Sequence, residues 1–153
     1  MYRHILIATD GSAPAETAVD GGIALARQCG AKLTFFTAMP RYGAAHAGHA
    51  RLPSADEHHR RTREQAERVL AGPLRLAREA GVDSCTLYLE SDLPYQAIID
   101  AAELQGCDLI VMASHARDAL GMLIYGSVTR AVLANSRIPA LVYRREAEPR
   151  RVS

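Results

Sequence analysis

The stretch from Asp108 to Tyr143 limits the fold of this 153-residue chain more than any other. Leu109 to Met112 is an apolar run set between an acid and small residues, as suits a strand buried on both faces. A polar loop with His115 and Arg117 follows. Gly126-Ser127 then opens an amphipathic helix, and Pro139 leads into a short apolar strand, Ala140 to Tyr143. Strand, loop and Gly-Ser at a helix start make a candidate anion site. Unpaired N–H groups and the positive helix end would face a phosphate there.

Upstream, strands alternate with helices. His4 to Thr9 reads as the first strand. Ser12 or Ala13 starts a helix that tolerates Pro14 in its first turn and stops at Gly30. Ala15, Ala18, Val19, Gly22, Ile23 and Ala26 fall on one stripe of it. Leu33 to Met39 is the second strand, and Pro40 to Pro53 a surface loop rich in Gly, Ala and His. The second helix covers Ser54 to Ala80, with acid–arginine pairs four apart on a solvated face. Gly72-Pro73 is expected to kink or break it. Cys85 to Glu90 is the third strand. Asp92 is expected to cap a third helix, with Ala97, Ile98, Ala101 and Leu104 as its buried stripe.

Such alternation implies a mostly parallel sheet covered on both faces, a doubly wound α/β fold. Ligands of such sheets bind at the carboxyl ends of the strands, where the strand order reverses. Thr9-Asp10-Gly11-Ser12 and Ala113-Ser114-His115 would both lie there. Residues 1–145 read as one domain and 146–153 as a mobile charged tail.

The apolar runs are too short to span a bilayer, and MYRHILIATDGS enters a strand without a signal-peptide pattern, so a cytoplasmic location is expected. The net charge of +1 argues against a dedicated nucleic-acid binder. Lys32 is the single lysine and stands in no glycine-rich loop, so there is no P-loop. Cys29, Cys85 and Cys107 form no CxxC pair and read as buried, reduced thiols. His46, His49, His58 and His59 invite a metal reading. No Cys, Asp or Glu joins them at a recognised spacing, so solvated histidines and no metal site are expected.

The segment after the fourth strand resembles the signature of the universal stress protein family, whose nucleotide-binding members carry G-x2-G-x9-G-[ST]. The register is Ala113, Ala116, Gly126 and Ser127, with alanine at two of the three glycine positions. His115, Arg117 and the Gly-Ser pair are kept, and the likeness spans nearly the whole chain. It implies a five-stranded sheet in the order 3-2-1-4-5 with an adenine nucleotide alpha hydrolase-like fold. It also implies a homodimer through the strand Ile138 to Tyr143 and no catalysis. By the same resemblance, ATP or another adenine nucleotide, with Mg2+ accompanying it, would occupy the site. Asp10 would meet the ribose, and Thr9 and Ala38 the adenine. Ala113, Ala116 and Arg117 would form the phosphate loop, and Gly126, Ser127 and Val128 would offer backbone N–H groups.

Ala116 carries a cost of roughly 1–2 kcal/mol if its backbone must be left-handed. Two other readings stand beside a nucleotide-binding stress protein. One is the same fold acting without ligand as an interaction module. The other is an adenylating or phosphotransfer enzyme. An adenylating ATP pyrophosphatase would show S-G-G-x-D-S after the first strand, where this chain has TDGSAP. A phospho-receiver domain would show an acidic pair there and a lysine after the last strand, where this chain has Asp10 alone and Arg144-Arg145.

Overall fold

The structure, a computed structural model, describes residues 1–43, 53–114, 116–117, 123–124 and 126–144. At 116–117 and 123–124 the description covers the backbone. The elements run β1 (His4–Ala8), α1 (Ala13–Cys29), β2 (Lys32–Met39), α2 (Ala55–Glu79), β3 (Ser84–Glu90), α3 (Pro94–Leu104), β4 (Leu109–Ser114), β5 (Ala116–Arg117), β6 (Leu123–Ile124), α4 (Ser127–Asn135) and β7 (Ala140–Arg144).

The long strands form one sheet in the order β3-β2-β1-β4-β7, and every pairing in it is parallel. Counted over those strands this is the expected 3-2-1-4-5. Period-2 alternation feeds two cores. Ile5, Ile7, Leu33, Phe35, Leu109 and Val111 face α1 and α2, while Leu6, Phe36, Ile110 and Met112 face α3 and α4. Each such side chain contributes roughly 1.5–3 kcal/mol on burial, so β1 and β4 are fixed by both faces at once.

The α1 stripe is buried as the spacing requires: Ala15, Ala18, Val19, Gly22, Ile23 and Ala26. Gly30 ends the helix at φ 67. Ser54 caps α2 by accepting from the Glu57 amide at 3.1 Å.

Several expectations are corrected. Helix α2 continues through Gly72-Pro73, because His58, Thr62, Ala66, Leu70 and Ala77 form one buried stripe on both sides of the proline. Packing along that stripe outweighs the lost backbone bond. The cap of α3 is Leu93, not Asp92. Pro94 in the first turn draws Leu93 toward extended backbone, and Ser91 Oγ accepts from the Leu93 amide at 3.1 Å. Leu104 is 74% exposed at the end of α3, and Ala102 is buried in its place. Of the thiols only Cys107 is buried, with its pKa pushed up to about 12 chiefly by that burial, whereas Cys85 on edge strand β3 is exposed. On α2, Glu57–Arg61 and Arg60–Glu64 pair as expected, but Arg68 bonds Gln65. The loop stretch 44–52 and the tail 145–153 lie outside the described residues. No described helix is long and apolar enough to cross a membrane.

Candidate functional site

The carboxyl ends of β1, β2 and β4 and the start of α4 surround a cavity of about 460 Å³. Its position follows from the strand order. The connections leave β1 and β4 toward opposite faces of the sheet, which opens a crevice beyond their carboxyl ends.

On the β1 side, the Thr9 amide donates to the Phe36 carbonyl at 2.9 Å, carrying the β1–β2 ladder one residue past the strand. A tight turn follows. Thr9 Oγ1 accepts from the Gly11 amide at 3.2 Å, and Asp10 Oδ1 accepts from the Ser12 amide at 2.9 Å. Gly11 has φ 79, a left-handed conformation that glycine adopts without steric cost. These bonds hold the exposed Asp10 at the rim of the cavity.

Facing it, α4 begins at Gly126, with φ −64, ψ 165 and no side-chain cap. Gly126 is the cap residue, and Ser127 is already helical. Gly126 has no side chain to offer, so the cap residue gives the first turn's amides no capping oxygen. The Arg130 amide donates to the Gly126 carbonyl at 3.0 Å, so the amides of Ser127, Val128 and Thr129 come before the i→i−4 ladder begins. The arrangement suits an anion held by backbone N–H groups at the positive end of a helix. Phe36, Ile98, Met112 and Val128 line the cavity with apolar surface.

Thr9, Asp10, Ala38, Ala113, Gly126, Ser127 and Val128, picked out from sequence about a hundred positions apart, all line this one cavity. Sequence reading missed the contributions of Phe36, Thr37, Pro94, Ile98, Met112 and Thr129. Strand alternation could have flagged Phe36 and Met112, which share the face of the sheet covered by α3 and α4. Ala113 lies in the extended chain of β4, next to the terminal Ser114, without positive φ, so alanine is unstrained there. Ala116 pairs with Ile124, and Arg117 with Leu123, in a two-stranded antiparallel ladder. The expected open loop is therefore partly strand, and Ala116 does not take the left-handed backbone that would carry a cost. His115, Tyr125 and the Arg117 side chain lie outside the described residues.

Residues 1–144 match the universal stress protein family. The chain belongs to that family. A putative universal stress protein of Staphylococcus haemolyticus is 33% identical over 153 aligned residues, covering 97% of this chain and 88% of that protein. A universal stress protein of Thermus aquaticus is 33% identical, covering 94% of this chain and all of its own length. Among solved folds, a universal stress protein from Archaeoglobus fulgidus superposes with a TM-score of 0.70 at 24% identity, covering 93% of this chain and 98% of its own. The Archaeoglobus universal stress protein in complex with dAMP gives 0.68 at 20% identity, covering 92% and 97%. An Arabidopsis thaliana family protein with AMP bound gives 0.67 at 12%, covering 95% and 93%. At such identities these neighbours speak for the shared fold, that of universal stress proteins.

Proposed function

We propose that this universal stress protein binds an adenine nucleotide in the cavity between β1 and β4 and acts by binding rather than by turnover. The observation that carries the reading is the pairing of Asp10 on one rim with the uncapped start of α4 on the other. A carboxylate accepts from sugar hydroxyls, and bare amides at a helix start donate to phosphate oxygens. The apolar surface of Phe36, Ile98 and Met112 suits a purine ring. In this reading Thr9 and Ala38 flank the base, Ala113, Ala116 and Arg117 form the phosphate loop, and Gly126, Ser127 and Val128 bind phosphate. Any Mg2+ would be carried in by the phosphates. The family relatives crystallised with dAMP and AMP support the ligand class.

The same proposal includes a cytoplasmic homodimer built on β7. That strand lies at a sheet edge, and Leu141 on it is 38% exposed. An exposed apolar edge is stable when a second copy covers it.

The test is the nucleotide content of protein purified without added ligand, followed by calorimetric ATP titration of wild type, Asp10→Ala and Ser127→Ala. Bound adenine nucleotide, or binding that Asp10→Ala weakens more than Ser127→Ala, supports the reading. One observation favours a ligand-free interaction module of the same fold: alanine stands at positions 116 and 119, where the family often has glycine. An empty preparation with no heat at millimolar ATP would select that module.

A further inference from the structure

His58 and His59, in the first turns of α2, meet Glu90 at the carboxyl end of β3. The three are brought together by the packing of α2 across the sheet. No spacing rule reveals this, since Glu90 lies 31 residues from His59.

The three ligand atoms converge closely enough to hold one metal ion. Glu90 Oε1 is 3.4 Å from His58 Nε2 and 3.1 Å from His59 Nδ1, and all three ligand atoms lie within 4.8 Å of one another. Zinc bonds to nitrogen and oxygen of about 2.0–2.2 Å at tetrahedral angles put neighbouring ligand atoms roughly 3.3–3.6 Å apart. Adjacent helix residues ordinarily diverge. Here the rings come within 5.6 Å at an interplanar angle of 70°, because one presents Nε2 and the other Nδ1 to the same oxygen.

The surroundings fix one ligand and expose another. His58 is 8% exposed, with the Tyr42 ring against its edge at 5.4 Å and Thr62 Oγ1 3.4 Å from its Nε2. Tyr42 is held in turn by its hydroxyl, which donates to the Pro53 carbonyl at 2.8 Å. Such outer contacts orient a ligating imidazole. The His59 side chain is 58% exposed, which gives an ion a path from solvent.

We propose that His58, His59 and Glu90 bind one transition-metal cation of the zinc class, with water in the remaining position. Two neutral imidazoles and one carboxylate suit such an ion rather than Mg2+ or Ca2+, which take mainly oxygen ligands. The ion clips the start of α2 to the end of β3. Met39 pairs with Glu90 one register step beyond Ala38 and Leu89, so the clip sits beside the cavity wall. The proposal does not depend on the nucleotide reading.

The test is Co2+ titration of the untagged full chain, followed by displacement with Zn2+, with Mg2+ as control. One equivalent of Co2+ should give visible bands of tetrahedral or five-coordinate intensity that Zn2+ abolishes and Mg2+ leaves alone. Glu90→Gln and His59→Ala each remove a partly exposed ligand, so the fold should survive, and each should weaken Co2+ binding by more than about tenfold. Zn2+ should also raise the thermal midpoint of wild type and not of either variant. Absence of Co2+ binding at about 100 µM, an affinity weaker than roughly −5.5 kcal/mol, would overturn the proposal. So would binding that both variants retain in full.

Discussion

Asp108 and His4 are bonded reciprocally: the Asp108 amide donates to the His4 carbonyl at 2.9 Å, and Asp108 Oδ1 accepts from the His4 amide at 3.0 Å. Asp108 Oδ2 also accepts from the Arg3 amide at 2.9 Å. The contact joins the amino ends of β1 and β4, the two strands whose opposite ends flank the cavity. Adjacency at the site is thus fixed from the far end of the sheet.

The same pair makes stability depend on pH. Burial, then the Lys32 charge, holds the His4 imidazole below its ordinary value of 6.5. Folded His4 therefore binds fewer protons than unfolded His4. Stability is full above about pH 6.5 and declines as pH falls through the window between the unfolded and folded values. Asp108 adds a second loss at lower pH. Burial pushes its carboxyl up, but bonds from the Arg3 and His4 amides outweigh that and hold it below the usual 3.8. The urea midpoint should fall between about pH 7.5 and 5.5, and His4→Gln should flatten that fall. A slope unchanged in the variant would assign the acid sensitivity elsewhere.

Gly21 of α1 lies under the Tyr143 ring of β7, and a Cβ there would overlap the ring. The neighbouring Gly22 stands likewise against Ile7 Cδ1, in the fully buried core. Alanine in a helix is favoured by about 1 kcal/mol over glycine. Overpacking of a filled core costs roughly 1–3 kcal/mol. Ile7 is fully buried, so its displacement would disturb the packed core, and Gly22→Ala should lower stability by about 1–2 kcal/mol in denaturant unfolding. A stabilised variant would show that Ile7 can turn aside.

The legible parts of this fold are those whose signal repeats. The α1 stripe reads directly as a 3.6-residue period. The run of β4 reads as a doubly buried strand and that of β1 as a strand, and their adjacency drew Asp10 and Ser127 to one cavity. What stayed hidden has no period. The β5–β6 ladder is two residues on each side, too short to alternate. Glu90 reaches His58 and His59 through tertiary packing alone. Pro73 carries a strong local signal for a break, and it is the buried stripe from His58 to Ala77 that overrides it. Leu104 fits a helical stripe by spacing, yet α3 ends there before the stripe reaches the sheet.

Leu141 tests the proposed dimer. It sits on edge strand β7 and is 38% exposed, while Val142 and Tyr143 pack on the two cores. A lysine at 141 would keep the inward contacts and place a charge on the outer edge. Leu141→Lys should sediment as a monomer where wild type sediments as a dimer, with little change in the unfolding midpoint of the monomer. A wild type that is monomeric at high micromolar concentration would defeat the claim.

Ala116 tests the phosphate loop. Glycine at this position would help most if the backbone had to be left-handed, since alanine then costs roughly 1–2 kcal/mol, about tenfold in affinity. Ala116 instead pairs with Ile124 as extended strand, and no described non-glycine residue has positive φ. Alanine therefore carries no such cost at 116, and there is no strain for glycine to relieve. Glycine would also loosen the two-residue ladder, because it loses more conformational freedom on ordering. In calorimetric titration with ATP, Ala116→Gly should bind within about threefold of wild type, a difference of roughly 0.7 kcal/mol. A tenfold gain would mean that the β5–β6 ladder opens and the backbone at 116 turns left-handed when the nucleotide enters.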